Sequence, residues 1–332
     1  MKIAIIGGGW VGSHLAFKLK KNHNITIFEK NLTLFKETSY NNQNRLHLGF
    51  HYAKNNKTRQ MCKNTFDRFM RDYSFLTKKV SNNYYCIPNN KSIIDFDTYK
   101  IIFNLIDVDV VDDKLNDVEG CINTNERYID FHKAHEFFNN ELKSLIVRKE
   151  VNLYDLDKLS KEYDLVINCT NNQINDIEEN SFFELTLTLI YEKVNKTNFD
   201  AITMVDGLLF SIYPYKNNDY TLTDVEYTPL KKFKNMNDLL SYKNNLTEDF
   251  FNERTNLMEN KVLKYYPEFL NDFKIKDKFL SIKSKFDSIT DNRYPIIKEN
   301  NNIISSFTGK IQGVYIIEDY ILNKIKNENT SW

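Results

Sequence analysis

The chain has 332 residues, 41% of them hydrophobic and 14% aromatic, which is enough for one large core or two smaller ones and argues against wholesale disorder. Its 45 basic and 45 acidic residues cancel, so nothing points to a strongly basic nucleic-acid or membrane surface. No apolar run approaches the ~20 residues of a membrane span, and the apolar start MKIAIIGGGW is too short for a secretory signal.

Only nine glycines occur, and four of them, Gly7, Gly8, Gly9 and Gly12, cluster near the start. They follow Lys2–Ile6, a short apolar run expected of a strand buried on both faces. A helical stretch over Ser13–Leu19 and a second strand over Asn24–Phe28 come next, ending at Glu29. In the pattern Gly7-x-Gly9-x-x-Gly12, Gly7 permits the tight turn, Gly9 the approach of a pyrophosphate, and Gly12 close packing of helix on strand. The helix N-terminus offers free N–H groups to phosphate, and Glu29, 17 residues past Gly12, can accept from ribose hydroxyls. A dinucleotide site is therefore expected here.

The segment NQNRLHLGFHY, residues 42–52, reads as a strand of period two. Arg45, His47, Gly49 and His51 would share a cationic face, and Leu46, Leu48, Phe50 and Tyr52 an apolar one. Gly49 would leave a gap for something flat. His47 and His51 as an i, i+4 metal pair would need a helix, which Gly49 disfavours, so no metal is expected. A helix over Phe131–Leu142 carries His132 and His135 on what reads as a surface face.

Tyr163–Thr170 reads as another buried strand with small polar residues at its end. Phe183–Tyr191 alternates polar and apolar, as in a sheet with one covered face, and Ala201–Val205, Leu208–Tyr213 and Tyr220–Val225 continue it. Leu239–Tyr266 is mostly helical, up to Pro267. Asn302–Thr308 then reads as a strand running into Gly309-Lys310-Ile311-Gln312-Gly313 and a helix from Val314, a second strand–glycine–helix junction. The four cysteines, Cys62, Cys86, Cys121 and Cys169, are scattered without a CxxC pair and read as reduced thiols of a cytoplasmic protein.

Four segments together resemble the FAD-dependent oxidoreductases of the D-amino-acid-oxidase type, which include glycine and sarcosine oxidases. They are IIGGGWVGSHLA…ITIFEK, NTNERYIDFHKAHEFFNNEL, VRKEVNLYDL…YDLVINCT, and DNRYPII…IISSFTGKIQGVYIIEDYILNKI. The resemblance implies an α/β fold, with a Rossmann-like doubly wound FAD domain from residues 1–75, 119–180 and 286–332. An inserted α+β substrate domain on an antiparallel sheet would take 76–118 and 181–285. It implies FAD held by the Gly7–Gly12 turn with Trp10 and Val11, by Glu29 and Lys30, and by Asn44 and Arg45. Val151 would flank the adenine and Thr170 would sit close by, while Gly309, Lys310, Ile311, Gln312 and Gly313 would meet the flavin.

In that family the segment after the second strand passes along the flavin, so His47, His51, Arg45 and Lys310 are the expected catalytic groups. Tyr213, Tyr215, Tyr227 and Arg293 are candidate substrate contacts. Family members often carry an Arg-Pro that grips a substrate carboxylate, and here Lys283–Arg293 lacks it. The expected activity is transfer of a hydride from a C–H next to an amine or hydroxyl of a small polar molecule to flavin N5. The alternatives are a sugar mutase without net redox and a silent FAD-fold binding protein. A small-molecule substrate and a homo-oligomer complete the expectation, with no nucleic-acid partner and no membrane span.

Overall fold

The computed structural model describes residues 1–105, 110–111, 115–174, 180–286 and 292–330, with backbone alone at 110–111 and 328–330. Asp291, in the fourth resembling segment, lies outside the described residues, as does the rest of 287–291.

A six-stranded sheet has the order Ile296–Asn300, Ile303–Phe307, Leu165–Asn168, Lys2–Ile6, Asn24–Glu29, Ile146–Arg148. All neighbours are parallel except the Ile296–Asn300 edge. The apolar run KIAII explains its central strand. Ile3 and Ile5 pack with Leu15, Ala16, Val314 and Ile317 from the helices Trp10–Leu19 and Val314–Thr330, whereas Ala4 and Ile6 pack with Leu156 and Leu159 of the helix Leu153–Glu162. A strand covered on both faces has no reason to alternate. The pairings Ile6↔Phe28, Ile6↔Asn168 and Asn168↔Ser305 align the carboxyl ends of four strands along one edge, where the turns at Gly7, Lys30, Thr170 and Thr308 begin. Ligands of such sheets bind in this crevice.

The second sheet is built around the long strand Ser181–Lys193, which pairs with Pro229–Phe233, Asp219–Asp224 and Phe273–Phe286. Beyond Asp219–Asp224 the order continues through Phe210–Lys216, Ala201–Met204, Asn83–Pro88, Val118–Thr124 and Val110–Val111. Alternation works here as expected. Leu187 and Leu189 enter a core with Met258 and Val262 of the helix Glu248–Tyr265, and the intervening Thr186 and Thr188 face a cavity. Among the described residues no helix is long and apolar enough to cross a membrane.

Three expectations are corrected. First, Val118–Thr124 pairs with Asn83–Pro88, so residues 119–124 go with the antiparallel sheet and not with a cofactor segment starting at 119. Second, only Arg45–Leu46 of NQNRLHLGFHY is a strand, paired with Arg127–Ile129. Gly49 has a φ of +107°, and a Cβ there would meet the Arg59 carbonyl oxygen at 2.9 Å. Its role is a turn against the helix Asn56–Tyr73, not a gap for a flat ring. Third, Cys86 and Cys121 are disulfide-bonded. They are direct partners on neighbouring antiparallel strands, a proximity that a spacing of 35 residues does not reveal. Cys62 and Cys169 stay free, and burial pushes both thiols up to about 12.

Candidate active site

A cavity of about 1370 Å³ runs from the glycine turn of the first sheet to the Thr186 face of the second. Ordinary single-ligand pockets hold ~300–1,000 Å³, so this one has room for a dinucleotide and a second molecule.

At its first end lie Gly7, Gly9 and Val11, then Glu29, Lys30, Val151 and Thr170. A Cβ at Gly12 would overlap the Gly7 carbonyl oxygen, so that position packs helix on strand as its spacing suggested. The Trp10 backbone lies at the cavity, but its indole packs among Phe35, Phe69, Tyr73 and Phe138 and belongs to the core. The Trp10 N–H donates to Ser39 Oγ at 3.0 Å, as it would to a phosphate oxygen. Glu29 is buried and accepts from the Gly8 N–H at 2.7 Å and from the Asn31 N–H at 2.8 Å. Lys30 donates to Gln173 Oε1 at 3.1 Å, and Thr170 Oγ1 donates to Asn168 Oδ1 at 2.8 Å.

The far end gathers Asn44, Arg45, His47, His51, Arg293, Gly309, Lys310 and Ile311. Arg45 is 8% exposed. Its Nη1 donates to Thr203 Oγ1 at 2.8 Å and its guanidinium lies 4.0 Å above the Tyr213 ring, but among the described residues Nε and Nη2 have no hydrogen-bond partner. Asn44 Oδ1 is likewise buried without one. Unmet buried donors and acceptors cost about 1–3 kcal/mol each, so such a wall is built for a polar ligand.

Behind Arg45 a chain of three charged or titratable groups crosses the wall. Lys310 Nζ lies 3.2 Å from His47 Nε2, and His47 Nδ1 lies 3.5 Å from Glu126 Oε2. An ammonium only donates, so Nε2 accepts and the ring proton sits on Nδ1, facing the carboxylate. The 3.5 Å contact is an ion-pair distance rather than a close hydrogen bond. Glu126 is fully buried and accepts from the Leu48 N–H and the Tyr85 hydroxyl, each at 2.6 Å. Burial pushes its pKa up, but the His47 ring and those two donors hold it below the ordinary value. Burial pushes His47 down to about 4, helped by Lys310 and opposed by Glu126. Burial and then Lys310 push His51 well below 6.5, and among the described residues its Nδ1 has no hydrogen-bond partner. Both rings are neutral near pH 7, and they stack with centroids 6.0 Å apart.

The structure thus brings Arg45, His47, His51 and Lys310 together and excludes other candidates from the cavity. Tyr213 supports Arg45 with its ring, while its hydroxyl donates to the Arg127 carbonyl. Tyr215 stacks on Phe131 and Phe279, and Tyr227 lies under Lys261. Gln312 is a clamp and not a ligand contact. It accepts from the His47 N–H at 3.1 Å and donates to the His47 and Cys62 carbonyls at 2.7 and 2.8 Å. Gly313 packs against Thr308 and Pro295. His132 and His135 meet Tyr40 and Thr33, and among the described residues no cluster could hold a metal. Ser39, Thr203 and Glu126 escaped the sequence reading. Glu126 stands in the second resembling segment, Ser39 and Thr203 in none, and the partner of each becomes visible only in space.

FAD fits these residues. The glycine turn leaves space where side chains would collide, Glu29 and Val151 line the end where a ribose and adenine would lie, and unpartnered Asn44 and Arg45 atoms await a polar group.

Comparison with known proteins agrees. Residues 2–78 match the DAO family model, described as FAD dependent oxidoreductase. The chain is 31% identical over 340 residues to the FAD-dependent monooxygenase FPY4 of Fusarium mangiferae, covering 98% of this chain and 92% of that one. It is 22% identical to the FAD-dependent monooxygenase kojA of Aspergillus flavus, covering 98% and 86%. In fold it is similar to the glycine oxidase of Geobacillus kaustophilus, with a TM-score of 0.66, 10% identity, and 98% and 94% of the two chains covered. The FAD-bound L-alpha-glycerophosphate oxidase of Mycoplasma pneumoniae gives 0.64 at 12% identity, covering 96% and 92%.

Proposed function

Because the chain belongs to the DAO-type FAD-dependent oxidoreductases, we propose that it oxidises a small polar substrate at a C–H next to a hydroxyl or amine. Bound FAD supplies the hydride acceptor, flavin N5. The observation that carries the reading is Arg45, a guanidinium 8% exposed at the cavity wall with Nε and Nη2 unpartnered. A substrate oxygen drawn to this cation would be fixed in place, and fixed geometry is a large part of catalysis. This offers an anchor from the early part of the chain where the Arg-Pro near residue 290 is missing.

His51 is the proton acceptor in this reading. It is neutral at working pH and its ring lines the cavity. His47, held between Lys310 and Glu126, fixes the field around it. Lys310 places positive charge where an electron-rich ring edge would gather negative charge on reduction.

The test is an anaerobic screen of hydroxy and amino compounds that follows loss of the oxidised flavin spectrum. H51Q should slow reduction by the best compound about 100-fold, the usual weight of general base catalysis. Unchanged reduction in both H51Q and R45M would sink the assignment. The fungal relatives are named monooxygenases, which makes insertion of oxygen the second reading. Isotopically labelled oxygen separates the two, since label enters the organic product only in the second. Relatives named as oxidoreductases give the mutase and silent-fold alternatives no support.

A further inference from the structure

The cavity mouth carries a feature that oxidation of a small polar molecule does not use. Ile93, Leu208, Val225 and Leu240 are 63, 55, 50 and 41% exposed, and all four line this one cavity. Isolated exposed apolar residues are normal, but backbone bonds from Ile93 to Asp206 and from Val225 to Leu209 set these two beside Leu208, and neighbouring exposed apolar residues make a patch that marks binding. The same cavity is also lined by Thr186, Thr188, Ser211 and Arg45, with Met204, Leu209 and Phe210 among them.

We propose that the substrate is an amphiphile, with its reacting polar head at Arg45 and a hydrocarbon chain leaving across this rim. The rim is held before any ligand arrives. The Ile93 N–H donates to the Asp206 carbonyl at 2.7 Å, and the Val225 N–H to the Leu209 carbonyl at 2.8 Å. Lys261 Nζ holds the Leu208 carbonyl at 3.1 Å and pairs with Asp224 and Glu226. Lys54 at the same mouth is paired with Asp206 at 3.0 Å. These two cations are satisfied by protein, while Lys91 and Lys243 also line the cavity beside the apolar residues. A held apolar groove loses little entropy on binding, which favours affinity.

The inference rests on the reading of Arg45 as the head-group anchor, and one titration separates the two. Straight-chain carboxylates from butanoate to dodecanoate, kept below micelle formation, are titrated into the FAD-loaded enzyme and followed by perturbation of the flavin spectrum. Each added methylene should tighten binding about two- to fourfold, the upper figure matching about 0.8 kcal/mol per buried CH2. In the L208D/L240D double variant the ratio of dodecanoate to butanoate affinity should collapse at least tenfold. Both changes lie on the surface, and an unaltered flavin spectrum and melting curve check the fold. R45M should weaken every member by a similar factor. If R45M weakens none, the head-group reading fails while the chain-length slope still tests the rim. A flat slope in the unaltered protein, or a slope that survives the double variant, overturns the proposal. A flat slope with rim-dependent sedimentation on lipid vesicles overturns it in favour of a membrane-facing patch.

Discussion

The molecule contains two strand–glycine–helix junctions, and they do different work. At the first, Gly7 and Gly9 line the cavity while Gly12 packs helix on strand. At the second, Gly309 lines the cavity beside Arg293, but Gln312 and Gly313 turn inward, one clamping His47 and the other packed on Thr308 and Pro295. Both junctions therefore combine ligand access with chain packing, but they divide the two jobs differently among their residues. Only Lys310 and Ile311 among the side chains of GKIQG reach the cavity.

The widest break should come from G12A. The added methyl would collide with the Gly7 carbonyl oxygen, which is backbone and cannot rotate aside. The helix must shift, so G12A should purify without bound flavin, as absorbance shows, and melt several degrees lower. R45M leaves the first junction intact and should stay yellow. Its rate of flavin reduction should fall about 10- to 100-fold, the weight of one or two charge-assisted hydrogen bonds, as stopped-flow measures. G313A is the direct counterpart of G12A. Its methyl meets the Thr308 hydroxyl and the Pro295 ring, so it should destabilise by about 1–3 kcal/mol in denaturant titration and keep its flavin. Loss of flavin in G313A would erase the contrast between the junctions.

The smallest effect concerns pH. His47 has its folded pKa lowered to about 4 from 6.5, so the unfolded chain binds the proton more readily between those values. Stability that is present above pH 6.5 should be lost as pH falls towards 4. Melting temperatures should fall over that window, and less in H47Q. The histidine contribution to the pH profile of flavin reduction should likewise lie on the acid side of 6.5, because His51 is lowered too.

What the sequence disclosed follows from how local each signal was. Gly7-x-Gly9-x-x-Gly12 and KIAII announce themselves because turn, helix start and buried strand are all made within about thirty residues. The Phe183–Tyr191 alternation was equally local. NQNRLHLGFHY misled because period two over eleven residues was read as a strand, whereas Gly49 breaks it after Leu46 and the helix Asn56–Tyr73 takes over. The two histidines still meet, through a turn rather than a shared strand face. Glu126 lies 79 residues from His47 and Thr203 lies 158 from Arg45, so neither partnership leaves a trace in spacing. Nothing in the sequence separates Tyr213 from Tyr215 and Tyr227, and it is the ring of Tyr213 that meets Arg45.

Gln312 has a consequence for how the protein is made. It joins the backbone of His47 to a residue 265 positions later, and Ile303–Phe307 completes the parallel sheet beside Leu165–Asn168. On the ribosome, the parallel sheet stays incomplete until Ile303–Phe307 emerges, and the core around Ile3 and Ile5 until Val314 and Ile317 follow. The wall around His47 has no clamp until nearly the whole chain is synthesised. Both ends of the cofactor site therefore depend on the last thirty residues made, and termination before Gln312 should leave a chain that holds FAD by neither end.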